Sequence, residues 1–261
     1  REFAAFLRII PRFLETAPRR RDDAAERGRS PAMKKLLEGL HRFQSQVFTQ
    51  ERGLYEELAK SQSPETLFIT CSDSRLSPNQ IVQSGPGTLF TLRNAGNIVP
   101  AYGAGSIGGE GATIEFAVGH LQVKDIIVCG HSGCGAVSAV LNPALSEKMP
   151  LVRRWLGHCD AALRAVEEKC GHLEGEALHT ATVQENVLVQ LDHLRTYPEV
   201  RARLARGDLT IHGWMFNIGT GDMLGYASSE DAWVPLRLGE AFTPANDEAQ
   251  DPSVSEATQA G

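Results

Sequence analysis

The sequence DIIVCGHSGCG, residues 125–135, joins an apolar run to a glycine-rich turn that leads into a helix-forming segment. A second apolar run, TLFIT at residues 66–70, is followed by the polar turn CSDSR. Short apolar runs bounded by polar turns are typical of buried strands. Because such strands alternate with helix-period segments, the sequence predicts an α/β fold with a mostly parallel central sheet flanked by helices. We expect both turns at the carboxyl ends of neighbouring strands, where ligands gather in open α/β sheets.

The remaining segments continue the same alternation. Further strands are predicted at residues 88–92 and 208–218, and residues 223–226 are expected to form a hairpin with the latter. Hydrophobic periodicity predicts helices over residues 33–60, 111–122, 137–141, 149–168 and 176–206.

Charge is concentrated at the two ends of the 261-residue chain. Residues 1–30 hold eight Arg against five acidic residues, whereas residues 238–261 hold five acidic residues and neither Lys nor Arg. The sequence predicts an N-terminal arm over residues 1–32, a core domain over residues 33–237 and a poorly ordered acidic tail over residues 238–261. The apolar spacing of the arm favours a helix that packs on the core or on a partner subunit, with a membrane-surface helix as the alternative.

The overall composition excludes several functional classes. A formal net charge of −6 leaves the chain without the basic footprint of a nucleic-acid-binding protein. Its apolar runs are far shorter than the roughly 18 residues that a transmembrane segment needs. Five cysteines, an odd number in a chain too long to need disulfides, favour thiols kept for chemistry in a reducing compartment. We therefore expect a soluble, cytoplasmic protein.

Soft metal ligands stand at both strand ends, namely Cys71, His131 and Cys134. Two Cys and one His, with water in the fourth position, form a known catalytic zinc pattern. Asp73 can orient that water, and Arg75 can pair with Asp73 to keep it ionised and turned away from the metal. If the pair breaks, Asp73 can instead close on the zinc as a fourth ligand.

These residues carry a resemblance to the β-class carbonic anhydrases that extends over residues 33–225. The family's CxDxR and HxxC signatures are both present, and RNAGN at residues 93–97, GGEG at 108–111 and IEF at 114–116 also agree. The resemblance implies reversible hydration of CO₂ to bicarbonate and a proton, with one Zn²⁺ per subunit. It assigns Cys71, His131 and Cys134 as zinc ligands and Asp73 with Arg75 as the catalytic dyad.

The resemblance also implies a substrate pocket and an oligomer. The sequence is similar to the plant-like, open-site group, in which a glutamine matched by Gln62 helps to hold substrate across a dimer interface. Phe90, Phe116 and Gly109 fall in the implied pocket, although Phe116 replaces a more usual tyrosine and Leu76 a more usual Val or Ala. A homodimer is the implied minimum, with a tetramer as the alternative. Association with a carboxylating compartment or an upstream membrane domain stays open.

The sequence permits four other interpretations. Hydrolysis of CS₂ or COS on the same fold and a non-catalytic zinc scaffold are the alternatives to CO₂ hydration. The segment GHSG also follows a strand and precedes a helix like a nucleophile elbow, with Ser132 as nucleophile and Asp192 and His212 as partners. That hydrolase is disfavoured because the oxyanion-loop motif is absent and CSDSR is left without a role. A second metal cluster is disfavoured as well, because no zinc-finger spacing relates its candidate ligands, His158, Cys159, Cys170 and His172.

Overall fold

The computed structural model describes residues 30–104, 108–239 and 243–246. The chain divides into two compact units, Arg1–Lys60 and Ser61–Gly261. The predictions for the arm over residues 1–32 and the acidic tail over residues 238–261 lie almost entirely outside the described residues.

Most of residues 31–58 in the first unit are helical, within the range for which the periodicity predicts helices. Ser30 caps the first helix by accepting a hydrogen bond from the amide of Met33 at 3.2 Å, and Pro31 occupies the first helical position. Three aromatic rings, those of Phe43, Phe48 and Tyr55, contact one another with centroids 5.3–6.3 Å apart. The contacts join successive helical segments, which are α1 (Pro31–Arg42), a π-helical turn (Phe43–Val47), α2 (Phe48–Gln50) and α3 (Arg52–Leu58).

The second unit is built on a six-stranded sheet with the order β2-β1-β3-β4-β5-β6. The four strands β2, β1, β3 and β4 are parallel, and β5 and β6 add an antiparallel hairpin at one edge. The mostly parallel sheet and the antiparallel pairing of β5 with β4 are as predicted, whereas the sequence does not predict β6. The strands are β1 (Thr66–Cys71), β2 (Leu89–Asn94), β3 (Asp125–His131), β4 (Thr210–Phe216), β5 (Met223–Ala227) and β6 (Ala232–Pro235).

The two long helices that the sequence predicts in this unit, over residues 149–168 and 176–206, are each divided in two. The helix predicted over residues 176–206 is two helices, because Pro198 lacks an amide hydrogen and begins a new one. No helix in the described ranges is long and apolar enough to cross a membrane. The helices are α4 (Pro78–Ile81), α5 (Gly109–Glu115, continued by a π-helical turn Phe116–His120), α6 (Gly135–Leu141), α7 (Pro150–Leu156), α8 (Asp160–Cys170), α9 (Gly175–Arg195) and α10 (Pro198–Arg206). Short 3₁₀ turns follow α6 and α7 at Pro143–Ser146 and Gly157–Cys159.

Helix α9 packs closely against β3 and β4 and forms one wall of the core. The close approach requires glycine in β3, since a Cβ at Gly130 would lie 2.8 Å from Val183 Cγ1 and 2.9 Å from Val187 Cγ2. In β4 a Cβ at Gly213 would lie 3.1 Å from Val187 Cγ1. The helix is therefore held tightly beside the carboxyl end of β3, where His131 lies.

Candidate metal centre

The ends of two adjacent parallel strands bring three metal-ligating side chains together. Cys71 is the last residue of β1, His131 is the last residue of β3, and Cys134 immediately precedes α6. Their ligand atoms all lie within 4.8 Å of one another, and all three residues are buried. The sequence prediction that these strand ends converge is correct, and no other such cluster occurs in the part of the chain that the structure describes.

The histidine is oriented as a metal ligand requires. Its Nδ1 lies 3.0 Å from the carbonyl oxygen of Ser132, a hydrogen bond that places the ring proton on Nδ1. The Nε2 atom of His131 is buried and has no hydrogen-bond partner among the described residues. Burying the lone pair of this nitrogen is costly unless a hydrogen-bond donor or a metal ion binds to it. Two sulfur donors and this nitrogen fit a tetrahedral metal ion with one open position.

The two thiols interact strongly with each other. A hydrogen bond with Cys134 is the largest cause that lowers the pKa of Cys71, and the amide of Gly96 adds to it. The same contact with Cys71, together with burial, raises the pKa of Cys134. The pair thus releases its first proton easily and holds the second, and metal binding supplies the charge that stabilises two thiolates at once.

The Asp73 carboxylate is fixed beside the cluster by Arg75. Its Oδ1 accepts hydrogen bonds from the Arg75 amide and Nε, both at 2.9 Å, and its Oδ2 accepts one from Nη2 at 2.7 Å. These hydrogen bonds hold the pKa of Asp73 well below its usual range. Asp73 Oδ2 lies 4.0 Å from His131 Nε2, so an ionised carboxylate faces the cluster while it remains paired with the guanidinium.

Three side chains that the sequence reasoning did not assign to the site support its backbone. Arg93, in β2, donates from Nε to the Cys71 carbonyl at 3.0 Å and from Nη2 to the Asp73 carbonyl at 2.8 Å. His179 Nε2, in α9, lies 3.1 Å from the Cys134 carbonyl, and the hydroxyl of Ser138 donates to the same oxygen at 3.1 Å. The Ser138 contact has the spacing of four that helical serines use, but the contacts of Arg93 and His179 join distant parts of the chain, and no spacing in the sequence signals them.

Comparisons with known proteins agree on one family. A sequence model of the family described as carbonic anhydrase matches residues 66–223. The carbonic anhydrase of Synechocystis sp. is 51% identical over 195 residues, which cover 74% of this chain and 71% of that protein. A solved structure of the β-carbonic anhydrase CcaA has a TM-score of 0.79 at 46% identity and covers 82% of this chain and 95% of its own. The chain belongs to the β-carbonic anhydrase family.

Other relatives extend the same likeness. Carbonic anhydrase 1 of Escherichia coli O157:H7 is 44% identical over 204 residues, which cover 78% of this chain and 92% of that protein. A solved tetrameric β-carbonic anhydrase of Sordaria macrospora is 29% identical, with a TM-score of 0.69 over 75% of this chain and 97% of its own.

The residues predicted to line the substrate pocket of this β-carbonic anhydrase are only partly brought together. The rings of Phe90 and Phe116 lie in contact, with centroids 5.9 Å apart, and Phe116 is 42% exposed. Gln62 and Gly109 are exposed. The assignment of these four residues to the pocket stays a prediction.

The competing serine-hydrolase interpretation finds no support in the geometry. The Ser132 hydroxyl accepts a hydrogen bond from the amide of Ile218 at 3.0 Å, and His212 Nε2 lies 2.8 Å from Asp125 Oδ1. Asp192 pairs with Arg195 instead. The three proposed triad members are thus engaged with other partners, which agrees with membership of the carbonic anhydrase family.

Proposed function

We propose that this carbonic anhydrase holds one Zn²⁺ per subunit through Cys71, His131 and Cys134 and uses it to hydrate CO₂ reversibly to bicarbonate and a proton. The observation that carries the proposal is the convergence of these three buried ligands next to an ionised Asp73. The soft sulfur pair favours zinc over the hard cations that prefer oxygen ligands.

The metal, when bound, supplies a nucleophile by lowering the pKa of a coordinated water molecule. The Asp73 carboxylate is placed beside the ligands, where it would accept a hydrogen bond from such a water and orient it toward CO₂. Arg75 keeps Asp73 ionised and holds both of its oxygens, which prevents the carboxylate from taking the open ligand position itself. These contacts would therefore leave the fourth ligand position free for water and keep that water oriented.

We infer that CO₂ lies in a small apolar pocket formed by Phe90 and Phe116, with Gln62 and Gly109 as further lining residues. The contact between the two rings supports an apolar surface, which suits a neutral substrate without a permanent dipole. The proposed active assembly is a homodimer or a tetramer, which the similarity to a tetrameric neighbour supports. Sedimentation measured together with activity tests the assembly, and a fully active monomer would disprove it.

A CO₂-hydration assay on purified, metal-quantified protein tests the proposed function. We expect turnover that depends on about one zinc per subunit, and we expect Asp73→Ala to retain zinc while losing most of the activity. Zinc binding without turnover would instead indicate a non-catalytic scaffold. Turnover of CS₂ or COS without turnover of CO₂ would indicate the alternative hydrolase.

We propose the cytoplasm as the compartment of this enzyme. All five cysteines are free thiols, as expected of a protein kept in a reducing environment. Cell fractionation followed by immunodetection tests this assignment.

A further inference from the structure

The loop that follows β2 touches one of the proposed zinc ligands directly. The amide of Gly96 donates a hydrogen bond to Sγ of Cys71 at 3.4 Å. Gly96 and the next residue, Asn97, both have left-handed backbone conformations, with φ of +84° and +50°. A Cβ at Gly96 would also lie 3.0 Å from the Cβ of Ala136. Glycine is thus needed both for the turn and for the close approach that aims its amide at the sulfur.

Two buried amide side chains of α9 clamp this loop from the opposite side. Asn186 Nδ2 donates to the Gly96 carbonyl at 3.0 Å, and Gln190 Oε1 accepts a hydrogen bond from the Val99 amide at 2.8 Å. Gln190 Nε2 donates to Asn186 Oδ1 at 2.9 Å, which closes the network. Because the two residues are four apart, they lie on the same face of the helix.

Burying these two amide side chains is costly, and their hydrogen bonds to the loop and to each other offset that cost. Asn186 is 1% exposed and Gln190 is 0% exposed. A buried amide without partners is strongly unfavourable, whereas a satisfied network is rigid and specifies one arrangement. Both polar groups of the Gly96 residue are engaged, its carbonyl by Asn186 and its amide by Cys71. The two side chains therefore determine where the amide points.

We propose that Asn186 and Gln190 are positioning residues that hold the Gly96 amide against the Cys71 thiolate and so tune the metal ion bound there. The inference rests on the proposed zinc site. An N–H group that hydrogen-bonds to a ligating sulfur withdraws charge from it, which reduces donation to the metal and leaves the metal more electrophilic. This effect matters where two thiolates already neutralise the formal charge of Zn²⁺.

A measurement on the wild-type protein tests the contact without any substitution. Cadmium-113 is loaded in place of zinc, and the scalar coupling between the metal and the Gly96 amide proton is measured by NMR. We expect a coupling transmitted through the N–H···S hydrogen bond. Cadmium bound by both cysteines without this coupling would overturn the inference alone. Failure of the two cysteines to bind cadmium would remove the zinc site and the inference with it.

Substitutions in α9 test the clamp. Asn186→Leu and Gln190→Met replace each amide with an uncharged apolar side chain of similar size. Thr182→Val is the matched control, because Thr182 is equally buried and its hydroxyl donates to the Leu178 carbonyl within the same helix. We expect both variants to weaken the coupling to Gly96. Because the loop that holds Cys71 is then loosened, we also expect them to release metal to a chelator about 10–100-fold faster, whereas the control matches wild type. Folded variants with wild-type coupling and release would refute the proposal.

If the variants do not fold, hydrogen exchange on the wild-type protein tests whether Asn186 and Gln190 are coupled to the metal site. Because the clamp and the metal site stabilise each other, loading with cadmium must slow exchange of the side-chain amide protons of Asn186 and Gln190. Equal exchange rates with and without cadmium would show that the two side chains do not sense the metal.

Discussion

Gly130→Ala is predicted to destabilise the protein by forcing α9 away from β3. The new methyl carbon would lie 2.8 Å from Val183 Cγ1 and 2.9 Å from Val187 Cγ2, against about 3.4–4 Å for ordinary contact. One or both elements must therefore shift by roughly 0.5–1 Å, and overpacking of this kind costs about 1–3 kcal/mol. For a domain of this size each kcal/mol lowers the melting temperature by about 2–4 °C. Because His131 is the next residue, we also expect activity to fall by up to about 100-fold.

Thermal unfolding of a double-mutant cycle measures the predicted clash. Val183→Ala or Val187→Ala removes one of the two offending methyl groups, so each should partly rescue Gly130→Ala with a coupling energy of at least about 1 kcal/mol. Gly135→Ala is the control, since nothing lies within 4 Å of the position of its new methyl carbon, although it also adjoins a proposed ligand. Additive effects within about 0.5 kcal/mol would refute the claim that Gly130 is needed for close packing.

Three further predictions concern the dyad and the thiols. Arg75→Lys keeps the positive charge but loses the two-point contact with Asp73, so kcat per bound zinc should fall about 10–100-fold. A near-wild-type kcat would contradict the orienting role. Hydrogen bonds from Arg75 hold the pKa of Asp73 well below its usual range, so the contribution of this pair to stability is complete above about pH 5 and is lost as the pH falls further. Asp73 therefore stays ionised between pH 5 and 9, and kcat should show a single rise with pH there, from the water that the zinc would bind. A second ionisation in that range, or a flat profile, would count against this assignment. Burial raises the pKa of Cys129 and of Cys159 to about 12, so iodoacetamide at pH 8 should modify the half-exposed Cys170 and spare these two in the folded protein, as peptide mass spectrometry can check.

The parallel sheet and the ligand set could be predicted because their signals are local. The continuous apolar runs of β1 and β3 indicate strands buried on both faces, and a polar turn marks the carboxyl end of each run. The four-residue edge strand β6 has no clear alternation of apolar and polar residues and was therefore missed. The break between α9 and α10 was missed for a different reason, because helix-forming residues lie on both sides of Pro198 and outweighed the proline signal.

The long-range contacts that support the site could not be predicted, because they join a side chain to a distant backbone group. Asn186 donates to a carbonyl 90 residues earlier in the chain, and Arg93 to one that is 22 residues earlier. A backbone acceptor has the same chemistry at every residue and leaves no trace in the sequence. The one available signal was two amide residues four apart in an otherwise largely apolar stretch of α9, a pattern that indicates a buried polar contact without naming its partner.

The structure also gives Arg75 a second role that the motif alone does not convey. Its Nη2 donates both to Asp73 Oδ2 and to the Gly133 carbonyl at 3.0 Å, so one guanidinium joins the loop after β1 to the loop between His131 and Cys134. Gly133 has a left-handed φ of +64°, which turns its carbonyl toward the arginine. A lysine has one side-chain nitrogen and lacks the planar fork, so it cannot also reproduce the hydrogen bond that Arg75 Nε donates to Asp73 Oδ1. Activity lost on substitution of Arg75 therefore combines a freed Asp73 with a loosened ligand loop, and only the zinc content of the variant separates the two causes.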